Sequence, residues 1–300
     1  MLHITEDQVL RHLTMKEAMR LVRDAFAGLA DGSAQNQARR RLMLPGGAVL
    51  HQLAGSYGRY FGAKIYSTHP KHGATFHVLL YDAETGKPLA IVDANHLGQI
   101  RTGAASGVAT QLLARPDAAI VAVIGSGFQA MTQVDAMRVA RRVKEIRVWS
   151  RNRERREAFA REMEATAVET AEQAVRGADI IVTATNAKDP VIESAWVSEG
   201  AHINAMGSNN PRRREIPADL VARASLVALD ARDQSMIEAG DLILAWQPED
   251  WNHPRVVEMK DVVSGAHGRT SESQITLFKS NGLGVQDVAA AGYVYSCAPI

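Results

Sequence analysis

The stretch VAVIGSGFQA at 121–130 carries chemistry in its spacing. Gly125, Gly127 and Ala130 fit G-x-G-x-x-G/A, and the apolar run Ile120–Ile124 precedes them. The first glycine permits a tight turn, the second lets backbone approach a pyrophosphate, and a small third residue lets helix pack on strand. Amides at the following helix N-terminus add donors and positive dipole. A second strand, EIRVWS, arrives at the required distance, which raises the pattern above a bare glycine motif. At its end, where an acid would grip the ribose hydroxyls of NAD, stand Ser150, Arg151, Asn152 and Arg153. Hydroxyl, amide and guanidinium groups suit a 2′-phosphate instead. The cluster therefore favours NADP(H), with NAD(H) still open. The plainer alternative is that these arginines solvate a loop.

His69, His72 and His77 invite a metal reading. Pro70 breaks any helix between the first two, and no carboxylate or cysteine completes a tetrahedral set, so no metal is expected. The one cysteine, Cys297, rules out an intrachain disulfide and reads as an inert thiol. A net charge of +1 argues against a general nucleic-acid binder. No apolar run has the length of a membrane span, and the N-terminus lacks the pattern of a secretory signal. No membrane partner is expected, and the cytoplasm is the expected location.

These residues must be positioned by two kinds of element. Thr14 and Glu17 fit a capping box, and Ala18, Leu21, Val22, Ala25, Phe26 and Leu29 then repeat at helical spacing. RRRLMLP, AVLHQLA, RYFGAKIYS, TFHVLLYDA and PLAIVDA read as five strands, with a hairpin turn in DAETGKP. NHLGQIRTGAASGVATQLLA at 95–114 reads as a helix rich in small residues. From Asp117 strands alternate with helices, which implies a parallel sheet covered on both faces. The predicted class is α/β: a Rossmann-type doubly wound sheet over 114–285. An α+β substrate-binding and dimerisation domain with a mostly antiparallel sheet takes 1–113 with 286–300.

GAKIYSTHP, LYDAETGKPLA, IRTGAASGVAT, VIGSGFQA, AVRGADIIVTAT, GAHINAMGS, RRE and LFKSNGLGVQD, in this order, resemble the ornithine cyclodeaminase/mu-crystallin family. GAHINAMGSNNPRRRE is especially similar to the mu-crystallin branch. The resemblance implies a homodimer and hydride exchange between a nicotinamide and the α-carbon of a small amino or imino acid. It implies three cations at a substrate carboxylate: Arg41, Lys64 and Arg101. Arg39 shares a strand face with Arg41, so the first choice stays open. The matched stretches imply cofactor contacts from Ser126, Phe128, Gln129, Thr183, Ala184, Thr185, Met206, Asp230, Ser280 and Gly282, beside the residues named above. His69 is expected to line the substrate pocket, and Asp287 to cap a helix.

The chain departs from the family's cyclodeaminases at two places. Asn209 stands where the resemblance puts an acid/base aspartate, and an amide does not exchange protons at ordinary pH. A second family carboxylate corresponds to His51 or Gln52. Both weigh against ornithine cyclisation. Reduction of a preformed ketimine needs only a held carboxylate, a protonated imine nitrogen and a nearby hydride. The leading expectation is thus an NAD(P)H-dependent ketimine reductase or amino-acid dehydrogenase. Ornithine cyclodeamination and non-catalytic NADPH-dependent ligand binding are the alternatives.

Overall fold

The computed structural model describes residues 1–298. The chain divides into two compact units, one of Met1–Ala104 with the segment from Gly282 onward, the other Ala105–Asn281. In chain order the first unit holds β1 (Leu2–Ile4), α1 (Glu6–His12), α2 (Met15–Asp31), β2 (Gln35–Asn36), β3 (Arg40–Met43) and β4 (Val49–Tyr57). There follow β5 (Tyr60–His69), β6 (Gly73–Asp82), β7 (Pro88–Asp93) and the first part of α3 (Asn95–Leu113).

The five strands expected from sequence are β3 to β7. The sheet runs β1-β7-β6-β5-β4-β2, with β3 also on β4, and only β1 with β7 is parallel. Asp82 ties the β6–β7 turn by accepting from the Thr85 amide at 2.9 Å, and Gly86 supplies its positive φ of 69°. α2 starts where the Thr14 hydroxyl accepts from the Glu17 amide at 3.3 Å and stops at left-handed Gly32. Its buried stripe is Ala18, Met19, Leu21, Val22, Ala25 and Phe26.

The second unit contains β8 (Ile120–Ile124), α4 (Phe128–Ala140), β9 (Glu145–Trp149), α5 (Arg153–Glu162), β10 (Thr166–Ala167), α6 (Ala171–Val175) and β11 (Ile180–Thr183). It continues with β12 (His202–Ala205), α7 (Ala218–Arg223), β13 (Leu226–Leu229), α8 (Arg232–Glu238), α9 (Gly240–Ile243), β14 (Val256–Glu258), α10 (Met259–Val263) and β15 (Thr276–Lys279). Its eight strands form a wholly parallel sheet, β10-β9-β8-β11-β12-β15-β13-β14. The first residues of LFKSNG belong to β15, inside the sheet between β12 and β13, with Leu277 and Phe278 fully buried. The last helix, α11 (Gly284–Cys297), returns to the first unit. Among the described residues no helix is long and apolar enough to cross a membrane.

Candidate active site

Side chains alternate along a strand, so register decides which of them meet. Across the first sheet Arg41 pairs with His51, His51 with Tyr66, and Tyr66 with Phe76. Two residues along, Leu53 pairs with Lys64 and Lys64 with Val78. Both rows share one face, and α11 lies directly on it. A Cβ on Gly284 would stand 2.6 Å from the Ala54 carbonyl oxygen, and one on Gly55 2.6 Å from the Val285 nitrogen. Only glycines allow that approach, which carries Asp287, one turn into α11, over Lys64.

The result is a buried ion cluster. Asp287 Oδ1 accepts from Lys64 Nζ at 3.2 Å and from Arg101 Nε at 2.8 Å. Lys64 and Arg101 are 4% and 5% exposed and Asp287 is fully buried. Two cations thus share one carboxylate oxygen, and the other oxygen, Oδ2, is buried with no hydrogen bond among the described residues. Burial pushes the Lys64 ammonium down to about 8, with Arg101 and Arg39 adding to the fall while Asp287 opposes it. Two glycines leave room for the cations. A Cβ on Gly98 in α3 would collide with Lys64 Nζ, and one on Gly282, whose φ is +78°, with the Arg101 guanidinium. The Lys64 ammonium also lies 5.8 Å from the Tyr66 ring centre and 5.4 Å from that of Phe76.

Several expectations change here. Of the open pair, Arg39 is buried and donates to the Gly282 carbonyl at 3.4 Å, whereas Arg41 is half-buried beside His51. Arg39 precedes β3, so strand alternation did not separate the two. Asp287 is not a helix cap: it sits inside α11 and holds Lys64 and Arg101. Gly282 lies with these cations in the first unit. His51 is the inward member of the His51/Gln52 pair; Gln52 is exposed on the opposite face. Burial, then Arg41 and Arg39, push His51 down to about 4, so it is neutral near pH 7. His69 has the opposite strand parity to Lys64, and its Nδ1 accepts from the Lys71 amide at 3.0 Å, so it serves the β5–β6 turn. Asn209 is exposed in the loop between β12 and α7. Among the described residues no three His, Cys, Asp or Glu are placed to hold a metal ion.

In the second unit, Gly125 turns the chain with φ +120°, and a Cβ there would strike the Ala184 carbonyl oxygen. Gly127 caps the N-terminus of α4, and a Cβ on it would enter open space. Ala130 is fully buried, which lets α4 pack closely. Ser126 and Phe128 flank the exposed glycine, and Gln129 is half-buried. This cradle at a helix N-terminus fits a pyrophosphate. At the end of β9, Ser150 Oγ meets Ser126 Oγ at 2.8 Å, and the Asn152 side chain caps α5 by accepting from the Arg155 amide at 2.8 Å. Arg153 pairs with Glu157 at 2.7 Å, whereas Arg151 is exposed and has no ion pair among the described residues. No acidic residue stands among the four that follow this strand.

Thr183, Ala184, Thr185 and Met206 lie at the ends of β11 and β12, the C-terminal strand ends where open α/β sheets place ligands. Glu215, which the sequence did not single out, ties these turns together. It accepts from Thr183 Oγ1 at 2.9 Å, the Thr185 amide at 2.5 Å and the Gly207 amide at 2.8 Å. Asp241 accepts from the Glu215 amide at 2.6 Å and pairs with Lys279 at 2.8 Å, all fully buried. Burial, with Asp241 adding, pushes the Glu215 carboxyl up. A lysine closing the apolar strand TLFK was the available signal for a buried charge partner. Asp230, after β13, accepts from the Asn281 amide at 2.5 Å and from Ser280 Oγ at 3.4 Å, which fixes the turn after β15.

The sequence profile of the ornithine cyclodeaminase/mu-crystallin family matches residues 2–299. The chain belongs to this family. It is 38% identical over 229 residues to a Delta(1)-pyrroline-2-carboxylate reductase of Bacillus cereus, covering 74% of this chain and 70% of that protein. It is 36% identical over 228 residues to ketimine reductase mu-crystallin of Mus musculus, covering 75% and 70%. Among solved structures, Thermococcus litoralis Delta(1)-pyrroline-2-carboxylate reductase in complex with NADH and L-proline superposes with a TM-score of 0.91 at 30% identity, covering 99% of this chain and 97% of that one. An archaeal alanine dehydrogenase dimer with bound NAD gives 0.92 at 32% identity, covering 98% and 95%.

Proposed function

We propose that this protein is an NADPH-dependent reductase of a ketimine, a small 2-imino acid whose α-carbon accepts hydride. The observation that carries the reading is the sharing of one Asp287 oxygen by the buried Lys64 and Arg101. Two cations against one carboxylate leave a positive excess, which suits the carboxylate of an incoming acid. Arg101 binds that group through directional N–H donors, with Arg39 the nearer member of the arginine pair. Lys64, held near 8, carries a proton at neutral pH and releases it at low cost. It keeps the imine nitrogen protonated, so that the adjacent carbon is electrophilic. NADPH supplies the hydride when bound; the product is the saturated amino acid.

The second unit is assigned to the dinucleotide. Gly125, Ser126, Gly127 and the α4 amides take the pyrophosphate, and Ser150, Arg151 and Asn152 the 2′-phosphate. The first unit is assigned to substrate binding and, through its sheet, to self-association as a homodimer. Relatives of this chain include a pyrroline-2-carboxylate reductase and a ketimine reductase, which supports an imine over an alcohol as substrate. Ornithine cyclisation is disfavoured because Asn209 is an amide on an exposed loop.

The test is cofactor consumption by the purified protein with NADPH across cyclic imino acids and mixtures of 2-oxo acid with amine. Turnover of at least one imine is expected. No consumption with any of them, or proline and ammonia formed from ornithine without net cofactor use, would overturn the proposal.

A further inference from the structure

Two lysines are buried, Lys64 and Lys279, and they are held differently. Lys279 Nζ donates to the Ser208 carbonyl at 2.6 Å and pairs with Asp241 at 2.8 Å. Lys64 Nζ makes a single hydrogen bond among the described residues, at 3.2 Å to Asp287 Oδ1, and Arg101 Nε claims that same oxygen at 2.8 Å. Around the rest of the Lys64 head stand the rings of Tyr66 and Phe76, with centres 5.8 and 5.4 Å away. Gly98 adds space, since a side chain there would collide with Nζ.

A desolvated amine next to another cation, with few hydrogen bonds to break, is a nucleophile for carbonyl carbon. Burial, with Arg101 and Arg39 adding, holds Lys64 near 8, so at neutral pH it carries roughly a hundredfold more free amine than an ordinary lysine. Lys64 and Arg101 reach one oxygen of Asp287, so the amine and the guanidinium are neighbours. In a 2-oxo acid the keto carbon is bonded directly to the carboxyl carbon. Such an acid with its carboxylate on Arg101 brings its keto carbon to Nζ.

We propose that Lys64 captures 2-oxo acids covalently, as a reversible protein-bound imine. This rests on the carboxylate site proposed above and adds a covalent chemistry to it. The neutral amine attacks the keto carbon, forming the Nζ–C bond, and the C–O bond of the resulting carbinolamine then breaks. Two of the three ammonium protons leave with the oxygen as water. Asp287 Oδ1 is the base within reach of Nζ that takes and returns protons along the way. Nothing is oxidised or reduced, and the iminium keeps the positive charge of the ammonium, so its pairing with Asp287 survives.

The test is reductive trapping without nucleotide. The protein is incubated with pyruvate and cyanoborohydride in amine-free buffer near neutral pH, and adducts are located by intact mass and peptide mapping. Lys64 should be labelled roughly tenfold or more faster than any exposed lysine, and Lys279 should stay unlabelled. Acetone, a carbonyl with no carboxylate, should label Lys64 at least about tenfold more slowly than pyruvate, the loss of one charge-assisted contact. Arg101→Gln should bring pyruvate down to the acetone rate, and Lys64→Arg should abolish the fast adduct. Labelling spread over the exposed Lys16, Lys71, Lys87, Lys144 and Lys188 with none favoured at Lys64, or equal rates for acetone and pyruvate on the wild type, overturns the proposal. Neither result touches the reductase reading, which NADPH consumption on preformed imines tests separately.

Discussion

At the scale of single residues, the account turns on one proton. Lys64 is held near 8 by burial and by Arg101 and Arg39, with Asp287 pulling the other way. Turnover that needs the protonated amine should therefore fall as pH rises through about 8. Asp287→Asn removes the group that raises the value, so the falling limb should move to lower pH; Asp287→Glu should bring it partly back. An unmoved limb in Asp287→Asn would remove Asp287 from this role. The stability effect has its own sign. The folded value lies below the ordinary 10.5, so between about 8 and 10.5 the unfolded chain holds the extra proton. Stability from this group therefore rises across that window, and below it the buried ammonium is a cost. Lys64→Met should melt no lower than the wild type near pH 7, because Arg101 still pairs with Asp287. Lys64 and Arg101 were legible in the sequence through their flanking motifs. Asp287 was not, because an acid near a helix start has the same local signature as a cap, and only packing reveals that it faces inward.

At the scale of elements, two contacts set the site. α11 reaches the sheet through Gly55 and Gly284, and a methyl at either must push backbone apart. Gly284→Ala should cost about 1–3 kcal/mol of stability and displace Asp287 from Lys64, so that a lower melting temperature is accompanied by loss of turnover. A full-activity, full-stability variant would contradict this packing. In the second unit, Glu215 binds the turns after β11 and β12. Glu215→Gln replaces one of the two accepting oxygens with an amide donor, which then faces a backbone N–H, that of Thr185 or of Gly207. NADPH affinity measured by nicotinamide fluorescence should weaken roughly tenfold or more, given about 1–3 kcal/mol per unsatisfied buried group; unchanged affinity would detach this network from the cofactor. The long alternating strands and the glycine turn could be read directly from residue order. β15 could not, since four residues ending in lysine carry no periodicity, and its place between β12 and β13 is decided by tertiary pairing. The order of Arg39 and Arg41 was likewise hidden, because period two puts both on one face and only the start of β3 separates them.

At the scale of the whole molecule, the assignment divides labour: one unit grips an acid, the other a dinucleotide. Cofactor choice belongs to the second. Arg151, exposed and without an ion pair among the described residues, is the residue available to a 2′-phosphate, whereas Arg153 is engaged by Glu157. Arg151→Ala should weaken NADPH and leave NADH nearly unchanged by calorimetry, narrowing the preference about tenfold for one charge-assisted contact. A parallel loss for both would assign the residue to stability instead. The family and its two architectures were readable because matched stretches run through both units. The row of His51, Tyr66 and Phe76 beside Lys64 was not, because it exists only once three strands are in register. The most direct test of the central claim is single-turnover reduction of a cyclic imino acid by Lys64→Met preloaded with NADPH. NADPH affinity should match the wild type while the rate falls about a hundredfold or more, the range expected for loss of a positioned acid. A rate within about twofold of the wild type at unchanged affinity would place the chemistry elsewhere in the molecule.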